Sequence, residues 1–429
     1  MREADNYLPD LSSIRGELRV LNISVFLMIV FAALSYIALF RLLGVSGIQE
    51  FLLVAYRAID LIIILAFLIF CGSRVKLRRI DFLLLIFIIY PLLIGLFKNS
   101  VSMTFLNDVA LFSLFFIKII VLRTTLYRVM AVVDIDKIFR KSARKIVLWC
   151  ALLAVTSLGT AIFMLGRGEI FYYQAPAEIT FAAAMLLAQG KIFGYLFFLA
   201  LAFAAGKRMV MVGVLFMALF AALTHPRLRR ALIRFSGVAL VLAPLALILG
   251  GSVFSADLTV VDKLLGTYRQ LARAMEMSDN FFDTLMYLDP PRFSEYVSLK
   301  PHLTGWSLWF GNGYGFRYEL DTAFLEQFGY IVHGDVTNAH FTPLAITAKF
   351  GLFGLLIWLV LIVTVMKTSF DRRSFVQTAA RLAFVSMIVQ SFFAFGFFVN
   401  IYTPFYIAMA TLGRRRRTQV PTIAMNRAT

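Results

Sequence analysis

The chain has 429 residues, 61% of them hydrophobic and only 15% charged, with a mean hydropathy of +0.84. A soluble protein of this size would carry about 25% charged residues, so a soluble enzyme is excluded. The formal net charge of +18 is spread over short clusters beside apolar runs, with no single basic module. That pattern excludes a nucleic-acid-binding protein and assigns the cations to membrane orientation and to anionic lipid heads.

Apolar runs of about 20 residues recur along the chain, the length that crosses roughly 30 Å of hydrocarbon. The period-2 alternation of a membrane barrel is absent. The sequence therefore predicts an all-α, polytopic membrane protein. Twelve spans are expected, over residues 20–43, 50–71, 81–97, 106–122, 146–165, 175–189, 192–205, 209–224, 235–253, 341–366, 382–400 and 402–412. Residues 1–253 would hold the first nine, 254–340 a large and partly helical outer loop, 341–412 the last three, and 413–429 a basic tail. The polar N-terminus leads into a full-length apolar run, so that run is expected to stay as a helix and not to be cleaved as a signal peptide. Loops after alternate spans carry Arg74 to Arg79, Arg123 to Lys145, Arg227 to Arg234, and Arg372 with Arg373, and the tail carries Arg414 to Arg417. Cations accumulate on the cytoplasmic side, so both termini are expected there.

In chain order, Arg41 ends the first span at the outer face, and Arg57 and Asp60 share one face of the second. An intramembrane pair of that kind is either a relay or a structural clamp. The basic amphipathic stretch from Tyr127 to Lys145 is expected to lie along the inner membrane surface. Arg167, after the fifth span, faces outward and reads either as a cation snorkelling to lipid phosphate or as a substrate contact. Cys71 and Cys150 both fall near cytoplasmic ends, which supports no disulfide framework and no cysteine-based metal site.

Lys207 and Arg208 break the charge rule, because the span count puts them at an outer helix end. A cation kept there usually serves an anion; the competing reading is a topology marker misplaced by a miscounted span. In the outer loop, acids outnumber bases, and three of the four histidines (His302, His333 and His340) are concentrated there. Residues Val260 to Leu271 show helical spacing and predict an amphipathic helix over the membrane mouth. Asp289-Pro290-Pro291-Arg292 breaks the chain, and Trp306 to Arg317 is aromatic and glycine-rich. Imidazole is the side chain best suited to take a proton near neutral pH. No histidine spacing of a helical zinc site occurs, so no metal is expected. Arg292 is either an anion ligand or an ordinary loop arginine paired with Asp289 or Glu295.

Three features in order resemble the O-antigen polymerase and O-antigen ligase superfamily of bacterial membrane glycosyltransferases. They are Gly206-Lys207-Arg208 at the start of a mid-chain span, Arg292 followed by Gly311-Asn312-Gly313-Tyr314-Gly315, and His340 just ahead of Gly351-Leu352-Phe353-Gly354. The family often has Asn after the histidine, whereas here Asn338 precedes it. The resemblance implies a C-type glycosyltransferase fold in the bacterial inner membrane, with the active site facing the periplasm. It implies His340 as catalytic base and Arg208 and Arg292 on the diphosphate of an undecaprenyl-linked glycan, with no metal, nucleotide sugar or other cofactor. Lys207, Arg167, Arg317 and Asn338 are further candidates for substrate contact. Trp306, Trp309 and Tyr314 are expected either to stack on sugars or to pack in a core. Asp289, Glu295 and Asp335 are candidates for orienting the histidine. Expected partners are the lipid-linked donor and acceptor glycans and membrane lipids, with a chain-length regulator and a flippase as candidates and no nucleic acid. A polymerase is the first reading. A ligase acting on a lipopolysaccharide core, a transporter of lipid-linked sugars and a non-catalytic scaffold are the alternatives.

Overall fold

The computed structural model describes residues 14–34, 48–72, 75, 77, 79–165, 177–204, 208–234, 275, 289–326, 335–368 and 374–412. Arg41, Arg167, Lys207, His333, the span expected over 235–253 and the amphipathic helix expected over 260–271 lie outside them. The described chain is mostly helical. It comprises α1 (Arg15–Leu34), α2 (Ile48–Cys71), α3 (Arg79–Lys98), α4 (Met103–Val132), α5 (Ile135–Leu165), α6 (Ala177–Ala188), α7 (Ile192–Ala204) and α8 (Arg208–Thr224). After these come α9 (Pro290–Leu299), α10 (Trp306–Phe310), α11 (Thr322–Glu326), α12 (Thr342–Lys367), α13 (Phe375–Ser391) and α14 (Thr403–Ala410). A two-residue antiparallel ladder, β1 (Tyr318–Glu319) with β2 (Asp335–Val336), is the sheet among the described residues.

Among the described residues, three helices are long and apolar enough to cross a membrane: Ile80–Lys98, Met103–Val132 and Thr342–Lys367. Two of them show an apolar exposed stripe at helical spacing. On α3 it runs through Phe82, Ile86, Ile89, Leu93 and Leu96, and on α12 through Phe353, Leu356, Leu359, Val360 and Val363. The protein is membrane-associated. Helices α6 and α7, with 12 and 13 residues, rise only about 18–20 Å, less than a bilayer core.

Charge is buried more heavily than the apolar runs imply, and most of it meets on α4. Lys349 of α12 donates to both oxygens of Asp108 at 2.6 Å. Lys118 pairs with Asp60 of α2 and donates to the Ile401 carbonyl at 3.1 Å, Arg123 pairs with Asp81 of α3, and Arg128 meets Glu17 of α1 at 2.7 Å. Asp60, expected to pair with Arg57, therefore has Lys118 as its ionic partner. Residues spaced along one long helix reach four different neighbours, which fixes the register of α1, α2, α3 and α12 around it. Ion pairs of this kind add little net stability, but losing one partner strands a charge and costs about 3–5 kcal/mol.

The stretch from Tyr127 to Lys145 belongs to two long helices. It is the end of α4 and the start of α5, broken at Val133 and Asp134, with Ile135 and Phe139 buried in the core. The span expected over 382–400 also ends early, at Ser391. Turns through 392–402 follow, in which Phe395 and Phe398 pack on Phe112 of α4.

The glycine-rich segment is buried within the helical bundle, where it joins α3 to α12. Helix α12 breaks at Gly351, whose φ of 66° and ψ of −174° are essentially open to glycine alone. The carbonyls freed by the break find new donors. Asn312 N bonds Ala348 O at 3.0 Å, Gly313 N bonds Lys349 O at 2.9 Å, and the Tyr90 hydroxyl bonds Phe350 O at 2.6 Å. On the other side, Pro91 inside α3 has no N–H to give to Phe87 O. The Tyr314 hydroxyl takes that place at 3.2 Å, and Tyr314 N bonds Pro91 O at 3.1 Å. Gly315 N donates to Asp108 at 2.8 Å, which ties the segment to the buried pair as well.

Candidate functional site

Two short elements meet at the start of α12. Asp289, Pro290 and Pro291 open α9, because proline fits the first helical turn where no N–H is required. Arg292 and Glu295 then lie three residues apart on its surface. A small core of Leu299, Phe316, Tyr318, Ala339, Ala345 and Ala348 clamps α9, the glycine-rich segment and the first half of α12 together. Ala339 is buried in that core, so the next residue, His340, emerges at a fixed place.

Glu295 holds His340 by two contacts. One carboxylate oxygen accepts the His340 backbone N–H at 2.8 Å, and the other accepts from imidazole Nδ1. The Glu295 side chain is 4% exposed and the His340 side chain 68%. The buried acid therefore orients an accessible ring. With Nδ1–H committed to the carboxylate, Nε2 carries the lone pair and is the nitrogen left for chemistry. The hydrogen bond that the imidazole donates to Glu295 holds its pKa above the ordinary value. Partial burial opposes that shift, the charge of Glu295 adds to it, and nearby Arg292 draws it down. Burial keeps the Tyr318 phenol protonated, with the negative charge of Glu295 as a second cause.

The other candidates divide clearly. Arg292 lies close enough to His340 to act on its charge, and it bonds Asp289 at 2.8 Å while remaining 40% exposed. The loop pairing with Asp289 is the reading of that arginine seen in the structure, and its guanidinium stays part-exposed. Arg208 is the first residue of α8; its side chain is outside the described set, as is Lys207. Arg317 pairs with Asp335 at 3.6 Å and donates to Thr104, which makes it a brace between the ladder and α4. Asp335 is therefore engaged by Arg317. Asn338 donates to Thr337 Oγ1 at 3.4 Å, and its own amide oxygen is buried without a hydrogen bond among the described residues.

Tyr314, expected at a sugar subsite or in a core, is a core residue. It is fully buried, its ring stacked on Phe112 at 5.6 Å and its hydroxyl bound to Phe87. Trp306 and Trp309 are exposed. His302 contacts Phe316 edge-on at 5.4 Å. Among the described residues, no group of three or more His, Cys, Asp or Glu gathers as metal ligands.

The sequence offers three acids as partners for the histidine, and Glu295 is the one the fold brings into contact with it. The signal for it was the three-residue step from Arg292 on a helix opened by two prolines. Comparison with family models, curated proteins and solved structures finds no match for this chain.

Proposed function

We propose that this protein is a membrane glycosyltransferase that joins oligosaccharide repeat units carried on a polyprenyl diphosphate, in the manner of the O-antigen polymerases its motifs resemble. The observation that carries this reading is the Glu295–His340 pair, an accessible imidazole fixed by a buried carboxylate, with Arg292 alongside. In the reaction, an acceptor hydroxyl attacks the anomeric carbon of the donor while His340 Nε2 takes its proton. The bond from that carbon to the diphosphate oxygen breaks, and the anomeric configuration inverts. Arg292, with Arg208 as its partner, neutralises the charge developing on the departing diphosphate. Glu295 stabilises the imidazolium that forms, as an acid partner does in hydrolase triads. Working on the periplasmic face of a bacterial inner membrane, the enzyme would meet both lipid-linked glycans there.

A ligase uses the same chemistry with a lipopolysaccharide core as acceptor. A transporter has one specific observation in its favour: a helix broken at Gly351 beside the buried Asp108–Lys349 pair, the combination that lines membrane transport sites. The glycine-rich segment and Tyr90 satisfy the carbonyls at that break, so it reads as a closed joint. The test is reconstitution of the purified chain with a synthetic polyprenyl-diphosphate oligosaccharide. The glycosyltransferase reading expects longer lipid-linked glycans and free polyprenyl diphosphate, and loss of both in His340→Ala. Movement of intact donor across the vesicle wall without bond formation would favour the transporter.

A further inference from the structure

Trp306 and Trp309 stand out as large aromatic side chains left open on a short helix. They are 79% and 58% exposed, and neither indole N–H has a hydrogen-bond partner among the described residues. Helix α10 is nevertheless held firmly. Lys98, the last residue of α3, donates to Ser307 Oγ at 2.8 Å and to Gly311 O at 3.3 Å. Gly311 in turn lies against the backbone of Gly351 at the break in α12. The helix is therefore pinned where α3 ends and the second half of α12 begins.

That position gives it a neighbour. Phe310 packs on Phe353 at 6.2 Å, and Phe353 is the first residue of the exposed apolar stripe on α12. Trp306 stacks on Phe310 at 5.6 Å, so the stripe continues without interruption from α12 onto α10. On α3 the matching stripe ends at Leu96 and Phe97, followed by Val101 and Met103, all exposed. Two exposed apolar stripes thus end in a collar of aromatic and apolar side chains with one lysine among them. Tryptophan, with an apolar body and one N–H, is enriched where hydrocarbon gives way to headgroups.

We propose that α10 is a membrane-interface foot, with Trp306 and Trp309 in the headgroup layer of the lipid surface that covers α3 and α12. This assigns the two indoles to lipid rather than to glycan, independently of the glycosyltransferase reading. The foot fixes the depth of the glycine-rich segment and, through Gly311 and Gly351, the height of α12 and the site at its start.

The chain has four tryptophans, so the emission of this pair is the difference between the wild type and a Trp306→Tyr/Trp309→Tyr variant. Both proteins are placed in phosphatidylcholine vesicles whose lipids are brominated either near the headgroup or near the chain end. The expected result is a greater loss of that difference emission with shallow bromines than with deep ones, and little loss with aqueous iodide. Strong quenching by iodide and none by bromolipid would overturn the proposal, and relief of that quenching by a soluble oligosaccharide would assign the pair to glycan. Stronger quenching by deep bromines would also overturn it. Hydroxyl-radical footprinting of the unaltered chain in vesicles gives the same answer without substitution. Trp306 and Trp309 should be oxidised far less than the exposed His302; equal oxidation would refute the foot.

Discussion

Replacing Gly351 with alanine tests the joint on which the site depends. The residue occupies φ 66° and ψ −174°, a region that costs other residues about 1–3 kcal/mol. A Cβ at Gly351 would also fall on the Trp309 carbonyl and on Gly311 N, which are backbone atoms that cannot swing aside. Forcing such a contact adds about 1–3 kcal/mol, for a combined cost of about 2–6 kcal/mol. Gly190 is the control, because it also has a positive φ, 73°, but nothing lies within 4 Å of its Cβ position. Gly190→Ala should therefore pay backbone strain alone, about 1–2 kcal/mol. Unfolding of both variants in mixed detergent micelles, titrated with dodecyl sulfate, gives the two free-energy losses. A Gly351→Ala protein no less stable than Gly190→Ala would refute the packing of the glycine-rich segment against α12.

Four further outcomes follow from the geometry. His340 must be neutral to accept a proton, so the rate should rise with pH through its raised pKa; Glu295→Gln should move that limb to lower pH, and Arg292→Gln should move it higher. Limbs that stay in place would remove both residues from the environment of the imidazole. The same raised pKa means that the stability contributed by the Glu295–imidazolium pair is complete below about pH 6.5 and is lost as pH rises through the folded-state value. Lys349→Met should cost about 3–5 kcal/mol by stranding Asp108, and adding Asp108→Asn should recover much of it; additive losses in the double variant would contradict a buried pair. Tyr314→Phe should cost about 1–3 kcal/mol by leaving the Phe87 carbonyl opposite Pro91 without a donor, with transfer activity unchanged; a stable but inactive variant would return Tyr314 to the substrate site.

The helical, membrane-associated character of the chain was legible because apolar run length is a local property. The expected runs at 50–71, 81–97 and 341–366 match α2, α3 and α12 to within a few residues. The break at Gly351 was not legible as a break, since the glycine sits in a long apolar run interrupted only by Lys349, and only a segment arriving from elsewhere in the chain makes a kink tolerable there. Tyr314 illustrates the same limit. Its surroundings in sequence are aromatic and glycine-rich, which left a sugar subsite and a core equally open, and alternate glycines let that backbone thread between two helices. The ions on α4 were visible as single charges inside apolar stretches; what the sequence lacks is the pairing, because each partner lies on a different helix. His340 was singled out by its type and its place ahead of a span. Glu295 was one of three candidate acids for orienting that ring, and the small core that brings α9 to the start of α12 distinguishes it from Asp289 and Asp335.

The most direct measurement is mass spectrometry of the polyprenyl-diphosphate-linked glycans in native cells whose chain carries His340→Ala, at matched protein abundance. Loss of a general base costs about 10²–10⁴ in rate, so single repeat units should accumulate and long lipid-linked chains should disappear. Long chains that accumulate without reaching a final acceptor would assign the same histidine to a ligase. A glycan pool identical to that of the wild type would contradict a catalytic role for His340.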